Sequence, residues 1–269
     1  MLIKRDILRA LKSFHIQVVF IITILFSGIF TFFVANGNKI GISVFGNLTT
    51  YKDLSEVLLN GLDNTKGLGF LVTFAIALFI AGEYQFNTWQ HYICSGRKRT
   101  EIYISRYIFA LMLAITIFLM YTLSSYFVSV ILGKSIDFSK FIFIIRRGVI
   151  VYMALTSIVV FLSMSLKNHI AGILGSLAFV FLEKDIISML INIFNKININ
   201  IEAFGKFTLM KINAIAPIDN INILTEMFLP CVLIIIVSTL LGNYCFSKFE
   251  VWNKCHNEKV NNRIKGDRK

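Results

Sequence analysis

Residues Gly82–Phe109 read GEYQFNTWQHYICSGRKRTEIYISRYIF, a stretch that places a glutamate, a cluster of aromatics and an Arg-Lys-Arg triplet between two apolar runs. Gly67 to Gly82 is uncharged on one side, and Tyr107 to Leu132 is uncharged on the other. A hydrocarbon core about 30 Å thick takes roughly 20 apolar residues of helix per crossing. The stretch therefore reads as a polar connection between two membrane spans.

The whole chain supports that frame. Its 269 residues are 56% hydrophobic, with a mean hydropathy of +0.73, whereas soluble domains run at about 45–50% apolar. Four further runs stand out: Ile16 to Ala35, Gly148 to Leu166, a run starting at Ile170, and Met227 to Ser247. All six are expected to be helices, because an isolated span must satisfy its backbone hydrogen bonds internally. The expected fold class is an all-α integral membrane protein with six transmembrane helices over residues 15–247.

The fifth run is short. It meets Glu183-Lys184-Asp185 after thirteen residues, roughly 20 Å of helix. Either the helix continues through the triplet, or it breaks there near the outer surface and the next apolar piece re-enters. The break is favoured, since acid-base-acid in lipid is expensive.

With both termini cytoplasmic, sixteen Lys and Arg fall on the inner side and eleven on the outer, spread over more residues. That is the favoured orientation for a multi-pass protein, although Arg146 and Arg147 then sit on the outer side without an assigned role. The net charge of +12 follows from this bias, from a basic tail over residues 248–269 and from attraction to anionic lipid, so no nucleic-acid partner is expected. Cys94 and Cys255 fall inside and Cys231 and Cys245 within the last span, leaving no outer pair to oxidise. His91 and Cys94 with Cys255 and His256 make a poor zinc-chelating arrangement, so no metal is expected.

Residues 1–14 carry Ile3, Ile7, Leu8, Leu11 and Phe14 at helical spacing, with Lys4, Arg5, Arg9 and Lys12 on the other face. They suggest an amphipathic helix in the membrane plane. Within the opening stretch Phe86, Trp89 and Ile93 suggest another short amphipathic helix, with Ser95-Gly96 ending it and Thr100 capping the next. On spacing alone this suits equally a partner-facing element and a helix lying on the inner leaflet.

Taken together, six spans, an amphipathic N-terminal helix and this loop resemble the permease subunit of a type-2 ABC transporter, the exporter class that handles antibiotic peptides and drugs. The family's loop has a Glu at the end of the second span, a Gly/Asn-Thr pair, a turn and an Arg. Here Glu83, Asn87-Thr88 and Cys94-Ser95-Gly96-Arg97 match, with Ser95-Gly96 where many members carry a proline. The resemblance implies a coupling helix that docks on an ABC ATPase subunit through Glu83, Tyr84, Phe86, Asn87, Thr88, Trp89 and Arg97. It also implies a second copy of this permease or a related one, a bacterial plasma-membrane location, and short re-entrant helices near Glu183, Lys184 and Asp185.

No G-x-x-x-x-G-K-[ST] sequence occurs, so ATP and Mg are expected only in the partner and this chain is not expected to be an enzyme. Tyr121, Ser124 and Ser125 in the third span and Thr156 and Ser157 in the fourth are candidate pathway-lining residues, although such hydroxyls also serve as interhelical hydrogen bonds. Spans without ionisable groups suit an amphipathic peptide or drug-like cargo. The competing classes are a non-transporting membrane sensor or immunity protein and an ion-coupled carrier; the carrier would usually carry an ionisable group within a span.

Overall fold

The computed structural model describes residues 2–248 apart from 45–46, 65–66, 87, 135, 197–207 and 219–221. Asn87 and the tail beyond Lys248 thus lie outside the described residues, as does the side chain of Lys184. In chain order the elements are α1 (Leu2–Lys12), α2 (Phe14–Ala35), β1 (Ile40–Val44), β2 (Asn47–Tyr51), α3 (Leu54–Asn60), α4 (Leu68–Gln85) and α5 (Thr88–Cys94). They are followed by α6 (Arg99–Ile131), α7 (Phe138–Ser165), α8 (His169–Lys196), α9 (Leu209–Ile215), a π-helical turn Leu224–Phe228 and α10 (Leu229–Ser247).

Among the described residues five helices are long and apolar enough to cross a membrane: α2, α4, α6, α7, and the π-turn with α10. The chain is a helical, multi-pass membrane protein. Helices α4, α6 and α7 pack on one another at its centre, with α2 against α6, α8 against α4 and α10 against α7. Small residues let the helices approach. A methyl group on Gly148 would fall 2.0 Å from the Phe118 ring, and one on Gly242 2.2 Å from the Tyr103 hydroxyl.

The break expected at Glu183 is absent. Helix α8 runs uninterrupted through the acid-base-acid triplet, about 42 Å at 1.5 Å per residue, although its apolar part stops at Glu183. The physical reason lies in where Glu183 points. Its side chain is buried against the protein, and Oε1 accepts the backbone N–H of Met210 at 3.1 Å in the first turn of α9. A carboxylate met by the N–H groups at a helix start has a partner for its charge, while Asp185 is exposed. The helix can therefore carry the triplet without placing an unpartnered acid in lipid.

The other end of α9 explains Arg147. Its Nη1 donates to the carbonyls of Ala216, at 2.8 Å, and of Ile218, and the guanidinium lies 3.8 Å above the Phe143 ring. These are the carbonyls just beyond α9, where a cation is favoured by the helix dipole. Acid at the start and base at the end thus hold one short helix against α7 and α8.

Strands β1 and β2 pair as an antiparallel hairpin, with Ile40 opposite Tyr51 and Val44 opposite Asn47. A capping box of Asp53 and Glu56 then starts α3. Two phenols fix α3 to the bundle: Tyr121 donates to the Val57 carbonyl at 2.9 Å and Tyr152 to that of Gly61 at 2.6 Å. We call this the hairpin end. The opposite end, with α1 and α5, is the loop end.

Candidate functional site

The loop end is organised around a buried arginine. Arg106, on the second turn of α6 and fully buried, donates from Nε to Glu83 Oε2 at 2.7 Å and from Nη1 to Asp6 Oδ2. Glu83, near the end of α4, is only 2% exposed and also takes Arg9 Nη1 at 3.3 Å. Asp6 is 1% exposed, and burial pushes its carboxyl above the ordinary range against the opposing pull of Arg106. Three elements are thereby pinned at one point: α1 through Asp6 and Arg9, α4 through Glu83, and α6 through Arg106.

Helix α5 joins this cluster through its aromatics. The Arg5 and Arg106 guanidinium carbons lie 4.7 and 5.3 Å from the centroid of the Tyr92 ring, within range of a cation–π attraction. Trp89, 2% exposed, packs between Tyr84 at 5.7 Å and Phe246 of α10 at 6.3 Å between ring centroids. Tyr84 itself donates to the Met164 carbonyl at the end of α7 at 2.6 Å. The loop helix is therefore seated in the ends of α4, α6 and α10, with α1 beneath it.

The expected stripe of Phe86, Trp89 and Ile93 is split. The helix begins at Thr88, which leaves Phe86 as the residue closing α4 and 64% exposed, while Trp89 turns inward. Thr88 and Tyr84 are half-buried and Arg97 is exposed. Of the residues expected to meet a partner, Phe86 and Arg97 are thus the exposed ones among those described, next to the exposed Gln85, His91 and Lys98, whereas Glu83 and Trp89 are buried.

Gly96 ends α5 as its sequence position suggests. At φ +84° it donates to the Ile93 carbonyl, and Arg97 N–H reaches back to Tyr92 O at 3.2 Å, the double hydrogen bond that glycine permits beyond a helix end. Thr100 does not cap α6, because the helix has already begun at Arg99 behind Lys98. Arg99 instead donates to the carbonyls of Phe246, at 3.3 Å, and Ser247 at the end of α10. Cys94 is disulfide-bonded, contrary to the expectation of no disulfide, while Cys231 and Cys245 are free.

The hydroxyls singled out for a pathway fall in the packed bundle. Ser125 shares a hydrogen bond with Ser27 of α2 at 2.6 Å, Ser124 donates to the Ile24 carbonyl at 3.4 Å, and Ser157 bonds back to Ala154 O at 2.8 Å. Tyr121 also accepts from Asn60 Nδ2 at 3.3 Å. Thr156 Oγ1 is buried with no hydrogen-bond partner among the described residues. Tyr121, Ser124 and Ser125 thus tie segments of the fold together, whereas Ser157 bonds only within α7.

Asp6 and Tyr92 carry no sequence motif, Arg106 reads in the sequence only as an inner positive charge, and Arg147 only as an outer one without a role. One local signal existed: Asp6 is the single acid in an otherwise basic amphipathic helix, an oddity that a buried partner accounts for. No protein-family model matches the chain, and no curated protein matches it in sequence.

Proposed function

We propose that this chain is the membrane subunit of a type-2 ABC exporter, with α5 as its coupling helix, both termini cytoplasmic and α8 completing six spans. A separate polypeptide supplies ATP hydrolysis, and the cargo is an amphipathic peptide or drug-like molecule. The observation that carries the reading is the seating of α5. A helix that only coated the lipid surface would direct its tryptophan toward lipid, whereas Trp89 is buried among Tyr84 and Phe246, and Tyr92 sits against the charge cluster of α1, α4 and α6.

A force applied to such a helix is delivered to several spans at once. That is the property a subunit needs if nucleotide-driven closure of a partner is to switch it between two arrangements. The exposed Phe86 and Arg97 offer that partner an aromatic anchor and a charge, the residue types that dominate interface energetics. Two such permease subunits, identical or related, would form the complete transporter with two ATPases.

The reading is tested by photocrosslinking in native membranes. Benzoylphenylalanine at position 86 is expected to give a light-dependent adduct with an ATP-binding polypeptide, while the same probe at the exposed α6 position Phe127 gives only lipid adducts. Lipid adducts alone from both positions would sink the proposal and leave α5 as a surface helix of a sensor or carrier.

A further inference from the structure

The circumference of α1 is divided into three sectors, where its sequence pattern suggests two. Asp6 and Ala10, one turn apart, are buried on the protein side, with Asp6 drawn inward by Arg106 of α6. Ile7, Leu8 and Leu11 form the second sector and are exposed. Arg5, Arg9 and Lys12, at i, i+4 and i+7, form the third; Arg5 and Lys12 are exposed, and Arg9 is partly so while it bonds Glu83. An apolar strip thus runs beside a cationic one along the outside of the helix.

The buried pairing also settles the charge of that outer surface. Asp6 is the only acid of α1, and its carboxylate is spent on Arg106. Of the two spanning helices that α1 packs against, α2 has no acid and α6 has one, the exposed Glu101. Two of the cations are held in place: the Arg5 guanidinium lies 4.7 Å from the Tyr92 ring centroid and that of Arg9 5.4 Å from the Phe79 ring centroid. The height of α1 is fixed by α2. Ser13, extended at φ −76° and ψ 118°, is the one residue between them, and α2 crosses the membrane with Ile21, Ile22 and Leu25 exposed along it. Helix α1 therefore lies where that span reaches the headgroups.

We propose that the outer surface of α1 binds anionic phospholipid, with Ile7, Leu8 and Leu11 among the acyl chains and Arg5 and Lys12, helped by Arg9, on the headgroup phosphates. Guanidinium and ammonium groups are donors only, and a phosphate gives them a charged acceptor. A zwitterionic headgroup offers the same phosphate together with a compensating ammonium, so the cationic strip selects lipid of net negative charge. Lipid that binds the docked helix stabilises the docked state by mass action. Through Asp6 and Arg9 that stabilisation reaches the ends of α4 and α6, which seat α5. Its use in regulating a partner rests on the exporter reading, as does placing α1 at the inner leaflet, whereas the lipid binding itself does not.

Photocrosslinking of the full chain in nanodiscs tests it, the discs made of phosphatidylcholine with a minor share of phosphatidylglycerol. Benzoylphenylalanine is placed at position 11 and, as control, at the exposed position 236 within α10, and lipid adducts are sorted by headgroup in a mass spectrometer. The ratio of glycerol to choline adducts is expected to be at least about fivefold higher at position 11 than at 236, the effect of one cation held near the surface. Arg5→Gln with Lys12→Gln should bring that ratio close to the control while choline adducts persist. In the unsubstituted helix, about 1 M salt should lower it too, by screening, which decides the matter even if the double variant fails to fold. Equal ratios at the two positions, a ratio that neither the variant nor salt lowers, or protein adducts alone at position 11 overturn the proposal. No ATPase enters the measurement, so its failure leaves the exporter reading untouched, and a failed cross-link from position 86 leaves the lipid surface of α1 untouched.

Discussion

Replacing Arg106 by Met is expected to lower stability by about 3–5 kcal/mol, the usual cost of removing one partner from a buried ionic cluster, and the melting temperature by roughly 10 °C. Methionine approximates the volume but leaves Asp6 and Glu83, both buried, to the part-exposed Arg9, which pairs with Glu83, and to the more distant pull of Arg5 on Asp6. Most of the penalty comes from those stranded carboxylates rather than from lost attraction. The triple variant Asp6→Asn, Glu83→Gln, Arg106→Met should therefore recover most of the loss, because the three sites are in contact and their effects are not additive. Arg106→Lys should fall between, since an ammonium cannot reproduce the fork that spans two carboxylates. Thermal unfolding of the purified variants, with hydrogen exchange over residues 2–12, reads both stability and release of α1. A triple variant no better than Arg106→Met would mean that the cluster acts through packing, not charge.

The second large effect is expected at the other end of the molecule. Arg147→Met strips the carbonyls of Ala216 and Ile218 of their donor, at about 1–3 kcal/mol for the buried Ala216 acceptor left without a partner, while water can replace the donor at the half-exposed Ile218. The damage should be local. Hydrogen exchange is expected to quicken across residues 208–218, while α4, α6 and the loop end keep their protection. Glu183→Ala should loosen the same segment from its other side by removing the acceptor of the Met210 N–H. Uniformly faster exchange throughout the bundle, in place of this confined change, would show that Arg147 supports α7 itself and not α9.

How much of this was legible in the sequence follows from the range over which each interaction acts. Hydropathy located the five long apolar helices, because a span is a local property of about 20 residues. A local signal also ended α5 at Gly96, since a left-handed helix end needs only the glycine and the turn before it. The pairing of Asp6 with Arg106 and of Arg147 with the carbonyls beyond α9 crosses 100 and about 70 positions of chain, and no periodicity reports such distances. The same blindness produced the expected break at Glu183, where the cost of the acid was counted without the helix start that meets it.

The loop shows the boundary most clearly. Its helix was legible, but its facing was not: a start at Thr88 instead of two residues earlier separates Phe86 from Trp89 and turns one outward and the other in. The candidate site thus kept its location and exchanged its roles. Glu83 and Trp89 became support, and Phe86 with Arg97 became the surface.

The most direct test of the central claim is purification of the tagged chain from its native membrane in mild detergent, followed by an ATP hydrolysis assay. The account predicts an ATP-binding polypeptide that copurifies with the chain and hydrolyses ATP, and that is lost from Phe86→Asp while the variant chain itself remains folded. A chain recovered alone and inactive under every mild detergent tried, or an ATPase retained in full by Phe86→Asp, would contradict it.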